Sequence, residues 1–201
     1  IVDRILSLLP TKDAAATCVL SRDLRRVFPL ITSLDFDHCP ANSYAANPDA
    51  VKSFPTFVTF VNTVLQKYRS HFLTRFRLRL CSGKHFFNCN NQHHCNYNCF
   101  PDLKSTQLRM WIFFPLNLCG LTELDLCILV RKPGYAQLPP DIFTCETLQV
   151  LKLEVNLGLD LVFNVPSYCL PNLKLLRLNA SSFSHDGFPR STKASFKLPL
   201  T

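Results

Sequence analysis

Glycine is scarce, at five residues in 201. A phosphate loop of the form G-x-x-x-x-G-K-[ST] and a dinucleotide fingerprint both need clustered glycines, because only a backbone without Cβ approaches a phosphate closely enough. Neither pattern occurs. Long apolar runs are also missing: spanning a bilayer takes roughly 18 or more consecutive apolar residues, and no stretch approaches that length. No basic segment followed by an apolar one heads the chain. A soluble chain without a membrane partner is therefore expected. Acidic residues are in the minority, 14 against 22 basic, for a formal charge of +8; the surplus favours acidic surfaces in general and names no ligand. A nucleophile elbow and an oxyanion-forming glycine motif are absent too. The triad residue types do meet at Ser184-His185-Asp186, but consecutive residues of a polar turn cannot converge on one another. No catalytic residue and no cofactor are assigned, and a non-enzyme is expected.

What is present suits a packed core of one or two domains, with 47% hydrophobic and 18% charged residues. Ten cysteines would suit a secreted disulfide framework, yet Cys18, Cys127 and Cys169 stand inside apolar runs, where a small buried thiol is common. Reduced thiols and a cytoplasmic or nuclear location are expected.

The first thirty residues read as three short helices. Ile1, Ile5, Leu8 and Leu9 recur at helical spacing, and Pro10 ends the run because it offers no backbone N–H. Thr11 is placed to cap a second helix running to about Leu20, with Asp13 at the positive end of its dipole. Ser21 is placed to cap a third, with Leu24, Val27 and Phe28 on one face before Pro29. So small a unit cannot hide Ile5, Leu8, Leu9, Cys18, Val19, Leu20, Leu24 and Phe28 by itself. A partner is implied.

The segment LSLLPTKDAAATCVLSRDLRRVF resembles an F-box, the segment by which substrate receptors dock on the Skp-type adaptor of a cullin-RING ubiquitin ligase; the nearest pattern is that of plant-type F-box/leucine-rich-repeat proteins. Family members usually begin with a Leu-Pro-Asp/Glu stretch that this chain lacks, so truncation is expected at the start, and also at the end, where the family often continues into a further domain. The third helix usually reads Ser-Lys-Arg-Trp-Arg; here it is Ser21-Arg22-Asp23-Leu24-Arg25. The resemblance implies adaptor contacts at Ile5, Leu8, Leu9, Pro10, Cys18, Leu20 and Leu24, which match apolar places of the motif. It also implies a cullin reached through the adaptor, and a target protein whose identity the sequence does not disclose.

Beyond the helices, four segments share the form L-x-x-L-x-L: Leu73 to Leu78 with Phe76 in the middle place, Leu121 to Leu126, Leu148 to Leu153, and Leu173 to Leu178. Their lead residues lie 48, 27 and 25 positions apart, the last two within leucine-rich-repeat range. Each unit supplies one short parallel strand whose leucines are hidden only by stacking on a neighbour. LITSLDF, residues 30–36, is expected to add an opening strand, and residues 105–114 a helix before the second repeat. The fold class is thus α+β to α/β solenoid: a short three-helix F-box (1–30), a connecting segment (31–71) with a first strand and a helix, irregular leucine-rich repeats with parallel strands (72–180), and a tail (181–201).

Residues between the inward leucines face the concave surface, where the family is expected to hold its target. Arg75, Arg77 and Arg79 there look like a basic stripe for nucleic acid. In-register stacking at about 4.8 Å instead sets Arg75 beside Glu123, Arg77 beside Asp125 and Lys152 on the far side of Asp125, so cross-strand pairing is expected and no nucleic-acid partner is assigned. Arg79 faces Cys127 and has no acid in this scheme. Arg79, Lys152 and Arg177 are the candidate target contacts. Cys89, His93 or His94, Cys95 and Cys99 are zinc-type ligands, but their spacing is irregular and lacks the paired motifs of secure zinc sites; no metal is assigned. Two alternatives remain: a leucine-rich-repeat module outside any ligase, its helices merely capping the stack, or a divergent fragment with impaired adaptor binding.

Overall fold

The computed structural model describes residues 2–38, 48–80, 104–128, 138–155, 170–183 and 189–197, and for 48–52, 180–183 and 189–197 the backbone alone. Three short helices come first: α1 (Val2–Leu6), α2 (Thr11–Thr17) and α3 (Arg22–Val27). Ser21 caps α3 as expected, its hydroxyl accepting from the Asp23 N–H at 3.1 Å. Thr11 does not cap α2. Pro10, extended at φ −52° and ψ 141°, occupies the cap position, which draws Thr11 into the first turn. Its hydroxyl, fully buried, accepts instead from the backbone N–H of Asp35 at 2.7 Å.

Asp35 lies on β1 (Ser33–Asp37), the first strand of a six-stranded sheet continued by β2 (Arg75–Leu80), β3 (Glu123–Ile128), β4 (Val150–Val155), β5 (Leu175–Phe183) and β6 (Pro189–Lys197). Spatial order follows chain order; β1 to β5 run parallel and β6 returns antiparallel beside β5. The expected opening strand is present, as Ile31-Thr-Ser-Leu34-Asp-Phe36 repeats the pattern of its four successors. The antiparallel strand within the segment assigned to a tail was not foreseen. Its sequence, PRSTKASFK, lacks the apolar alternation that marks a half-buried strand.

Stacking is in register. Leu34, Phe76, Leu124, Leu151 and Leu176 align across five strands, as do Phe36, Leu78, Leu126, Leu153 and Leu178. The inward residues of the first four strands are all at most 1% exposed, and those of the fifth, Leu173, Leu176 and Leu178, are half-buried. Threonines just before the strands tie the turns together: the hydroxyl of Thr74 donates to the Thr32 carbonyl at 2.8 Å, and that of Thr122 to the Thr74 carbonyl at 2.9 Å. Gly120 alone has positive φ, 79°, among the described residues, and a Cβ there would run into the ring of Phe72.

Two longer helices fill the connections after β1 and β2: α4 (Pro48–Lys67) and α5 (Ser105–Leu116). They meet at Asn62, whose side-chain oxygen accepts at 2.8 Å from both the Gln107 amide and the indole N–H of fully buried Trp111. That bond satisfies the one polar atom a buried tryptophan carries. After β3 a 3-10 turn, Pro140–Thr144, takes the place of a helix and buries Ile142. Leu6 of α1 and Ala14 of α2 belong to the same continuous core as the strands.

Candidate functional site

Two surfaces carry the candidate residues. The first is the outer side of the helical unit. Its inner side is fixed to the edge of β1: besides the Thr11 bond, the Ser7 hydroxyl accepts from the Thr32 N–H at 3.0 Å while donating to the Asp3 carbonyl at 2.7 Å. These bonds cover edge donors that a terminal strand otherwise leaves open. Arg25 reaches back to the Cys18 carbonyl at 3.3 Å and closes the turn after α2. With one side so occupied, Leu8, Val19 and Leu20 remain 80–85% exposed, and Ile5 56%.

The seven residues proposed for adaptor contact therefore divide. Ile5, Leu8, Pro10 and Leu20 are exposed. Leu9 and Leu24 are half-buried and pack against the core. Cys18 is half-buried as well, its thiol donating to the Ala14 carbonyl at 3.5 Å, and burial raises its pKa. Val2 and Val19 join the exposed apolar set. Val19 stands out because α2 ends at Thr17, and in the turn that follows Val19 and Leu20 are exposed while Cys18 is half-buried.

The second surface is the concave face of the sheet. The expected register holds: Arg75 pairs with Glu123, Arg77 with Asp125, and Asp125 with Lys152. Side chains follow it, with Arg75 at 3.4 Å from Glu123 and Arg77 at 3.8 Å from Asp125. Arg77 also donates to Asp35 at 3.1 Å, and Lys152 to Glu123 at 2.9 Å. Arg79 does have an acid, contrary to the sequence reading: Asp37, the last residue of β1, lies 4.0 Å away. The apolar pattern of the strand ends at Phe36, and β1 runs one residue further. Of the three candidate target contacts, Arg79 and Lys152 are thus engaged, whereas Arg177 is exposed and without an ion pair among the described residues.

Beside Arg79 the Cys127 thiol is pushed up to about 12 by burial, with Glu154 adding to the shift and Arg79 opposing it. It is held as the protonated thiol, a poor nucleophile. Among the described residues no group of three His, Cys, Asp or Glu side chains is arranged to hold a metal. The stretch from Cys89 to Cys99 and the residues Ser184, His185 and Asp186 lie outside the described residues. No helix among the described residues is long and apolar enough to cross a membrane.

Similarity to curated proteins gives both surfaces a context. One F-box/LRR-repeat protein of Arabidopsis thaliana is 34% identical over 94% of this chain and 31% of its own length. A second is 31% identical over 93% of this chain and 42% of its own length. Along nearly its whole length, this chain matches plant F-box/LRR-repeat proteins. An F-box/FBD/LRR-repeat protein of the same plant is 31% identical over 91% of the chain and 36% of its own length. The chain spans about a third of the length of these curated F-box/LRR relatives. Matches of this extent run through the helical unit and the strand stack alike, so the F-box and leucine-rich-repeat resemblances are carried by one continuous alignment. No family model matches the chain, and no solved structure does.

Proposed function

We propose that this chain acts as a substrate-recognition subunit of a Skp-cullin-F-box ubiquitin ligase, working in the cytoplasm or nucleus. Residues 1–30 dock on the Skp-type adaptor, and the concave face of the repeats holds a target protein. Its contribution is proximity: a target lysine kept near an activated thioester reacts at a raised effective concentration, with no catalytic side chain required from this chain.

The observation that carries this reading is the exposed apolar set Ile5, Leu8, Val19 and Leu20 on a helical unit whose other side is bonded to β1. The rival reading, a repeat module outside any ligase, draws support from those same bonds, since the helices do cap the stack. Helices serving only as a cap, however, need a polar outer face, and here Ile5, Leu8, Val19 and Leu20 stand exposed among the charged residues.

Co-purification with a plant Skp-type adaptor tests the proposal. Leu8→Asp combined with Leu20→Asp places charges where an apolar partner surface would bury them, so adaptor capture is expected to disappear while the fold persists. Capture undiminished in that double variant would refute the assignment.

A further inference from the structure

The concave face is electrically uneven in a way that its composition hides. On β1 to β5 it carries as many acids as bases, and Arg75, Arg77, Arg79 and Lys152 each have an acid within 4.0 Å. Pairing stops at β4. Arg177 on β5 and Glu154 on β4 have no ion-pair partner among the described residues, and both line an open hollow of about 380 Å³. Asn179 lines it too. Its amide nitrogen lies 3.5 Å from a Glu154 oxygen, which sets the orientation of the group, because a flipped amide would bring oxygen against oxygen. The Asn179 oxygen so oriented is buried without a hydrogen-bond partner. Closed off from solvent, that oxygen is out of a ligand's reach, and the charged groups of the hollow beside it are Glu154 and Arg177.

We propose that this hollow seats an acidic side chain from an extended segment of the target protein, its carboxylate on Arg177 and an adjoining N–H donor of the same segment on Glu154. The inference deepens the function proposed above and rests on the concave face being the target surface. A peptide fits better than a nucleic acid. Phosphate backbones are held by several free cations in succession, whereas three of the four cations lining this hollow, Arg77, Arg79 and Lys152, are each engaged by an acid, and among the described residues Arg177 alone of the four is left to meet an anion. The volume stands near the lower end of ligand pockets, enough for one or two side chains.

Fluorescence anisotropy of the full chain with three labelled peptides, identical except for a central Glu, Gln or Lys in a Ser/Thr/Val background, tests this. The Glu peptide is expected to bind about fivefold tighter than the Gln peptide, as one charge-assisted bond allows, and the Lys peptide weakest. Arg177→Glu is expected to invert that order, and Arg177→Lys to keep it in weakened form. Equal binding of the three peptides, or an order unmoved by Arg177→Glu, overturns the proposal. So does a labelled single-stranded RNA that binds tighter than the Glu peptide and is lost with Arg177→Glu. Adaptor capture is read separately, since β5 lies four strands, about 19 Å, from β1: a wild-type chain that keeps the peptide order but captures no adaptor supports the hollow and counts against the ligase reading alone.

Discussion

The strand stack hides its apolar side chains, and the helices that precede it show theirs. In β2 to β4 each inward residue is covered by its counterparts on the strands to either side, so burial follows from repetition. In α1 to α3 only Leu6, Thr11 and Ala14 are fully buried, because the unit touches the sheet along a single edge. Repetition gives a chain a core without regard to any other molecule. A unit attached on one side keeps the remainder of its apolar surface for something else, and its polar bonds to β1 hold that surface in a fixed orientation.

Mutations should follow the same division. The largest effect is expected at the middle of the stack: Leu124→Ala opens a cavity between fully covered neighbours and should cost about 2–5 kcal/mol, measured by urea unfolding of the full chain. An effect below about 1 kcal/mol would mean that the strands do not depend on their neighbours. Next comes the joint between the two regions. Thr11→Val keeps the shape but leaves the Asp35 N–H buried without an acceptor, for a loss of about 1–3 kcal/mol; hydrogen exchange at the Asp35 amide should accelerate while amides in β3 stay protected.

A smaller effect is expected at Tyr68. Its hydroxyl donates to the Ile31 carbonyl at 2.7 Å, and burial pushes its pKa up to about 12. A folded-state pKa above the ordinary value near 10 means that the protonated phenol stabilises the fold fully below pH 10, and that this contribution is lost as pH rises towards 12. Tyr68→Phe should lower stability by about 1 kcal/mol at neutral pH and flatten the decline between pH 10 and 12 relative to the parent chain. An unchanged alkaline slope would remove Tyr68 from that account. The least effect on stability belongs to Leu8→Asp with Leu20→Asp: within about 0.5 kcal/mol, despite the expected loss of adaptor capture. A large destabilisation there would show that the exposed set is part of the core after all, and the contrast between the regions would collapse.

Much of the stack was legible because its signal is periodic. A leucine every second position, led by another three residues earlier, places the strand, its inward face and its register at once, and that register alone sets Arg75 beside Glu123 and Lys152 beside Asp125. Single-residue features were harder to read. Asp37 lies one position beyond the apolar pattern of β1, so Arg79 looked unpaired. Thr11 stands at a position that suits a helix cap, and nothing local reveals that Pro10 takes that place and a strand claims the hydroxyl. Which of the seven docking candidates point outward was equally illegible: Leu8 and Leu9 are neighbours of the same type, yet one is 85% exposed and the other packs on the core.

The spacing of residues along the chain set the five parallel strands, their order of charges and the surplus of apolar residues at the start. How that surplus divides between core and surface, where β6 joins, and which cation on the concave face lacks an acid among the described residues came from the packing. These depend on where neighbours stop: the helices meet the sheet on one side only, and among the described residues the run of acids that neutralises Arg75, Arg77, Arg79 and Lys152 does not extend to Arg177.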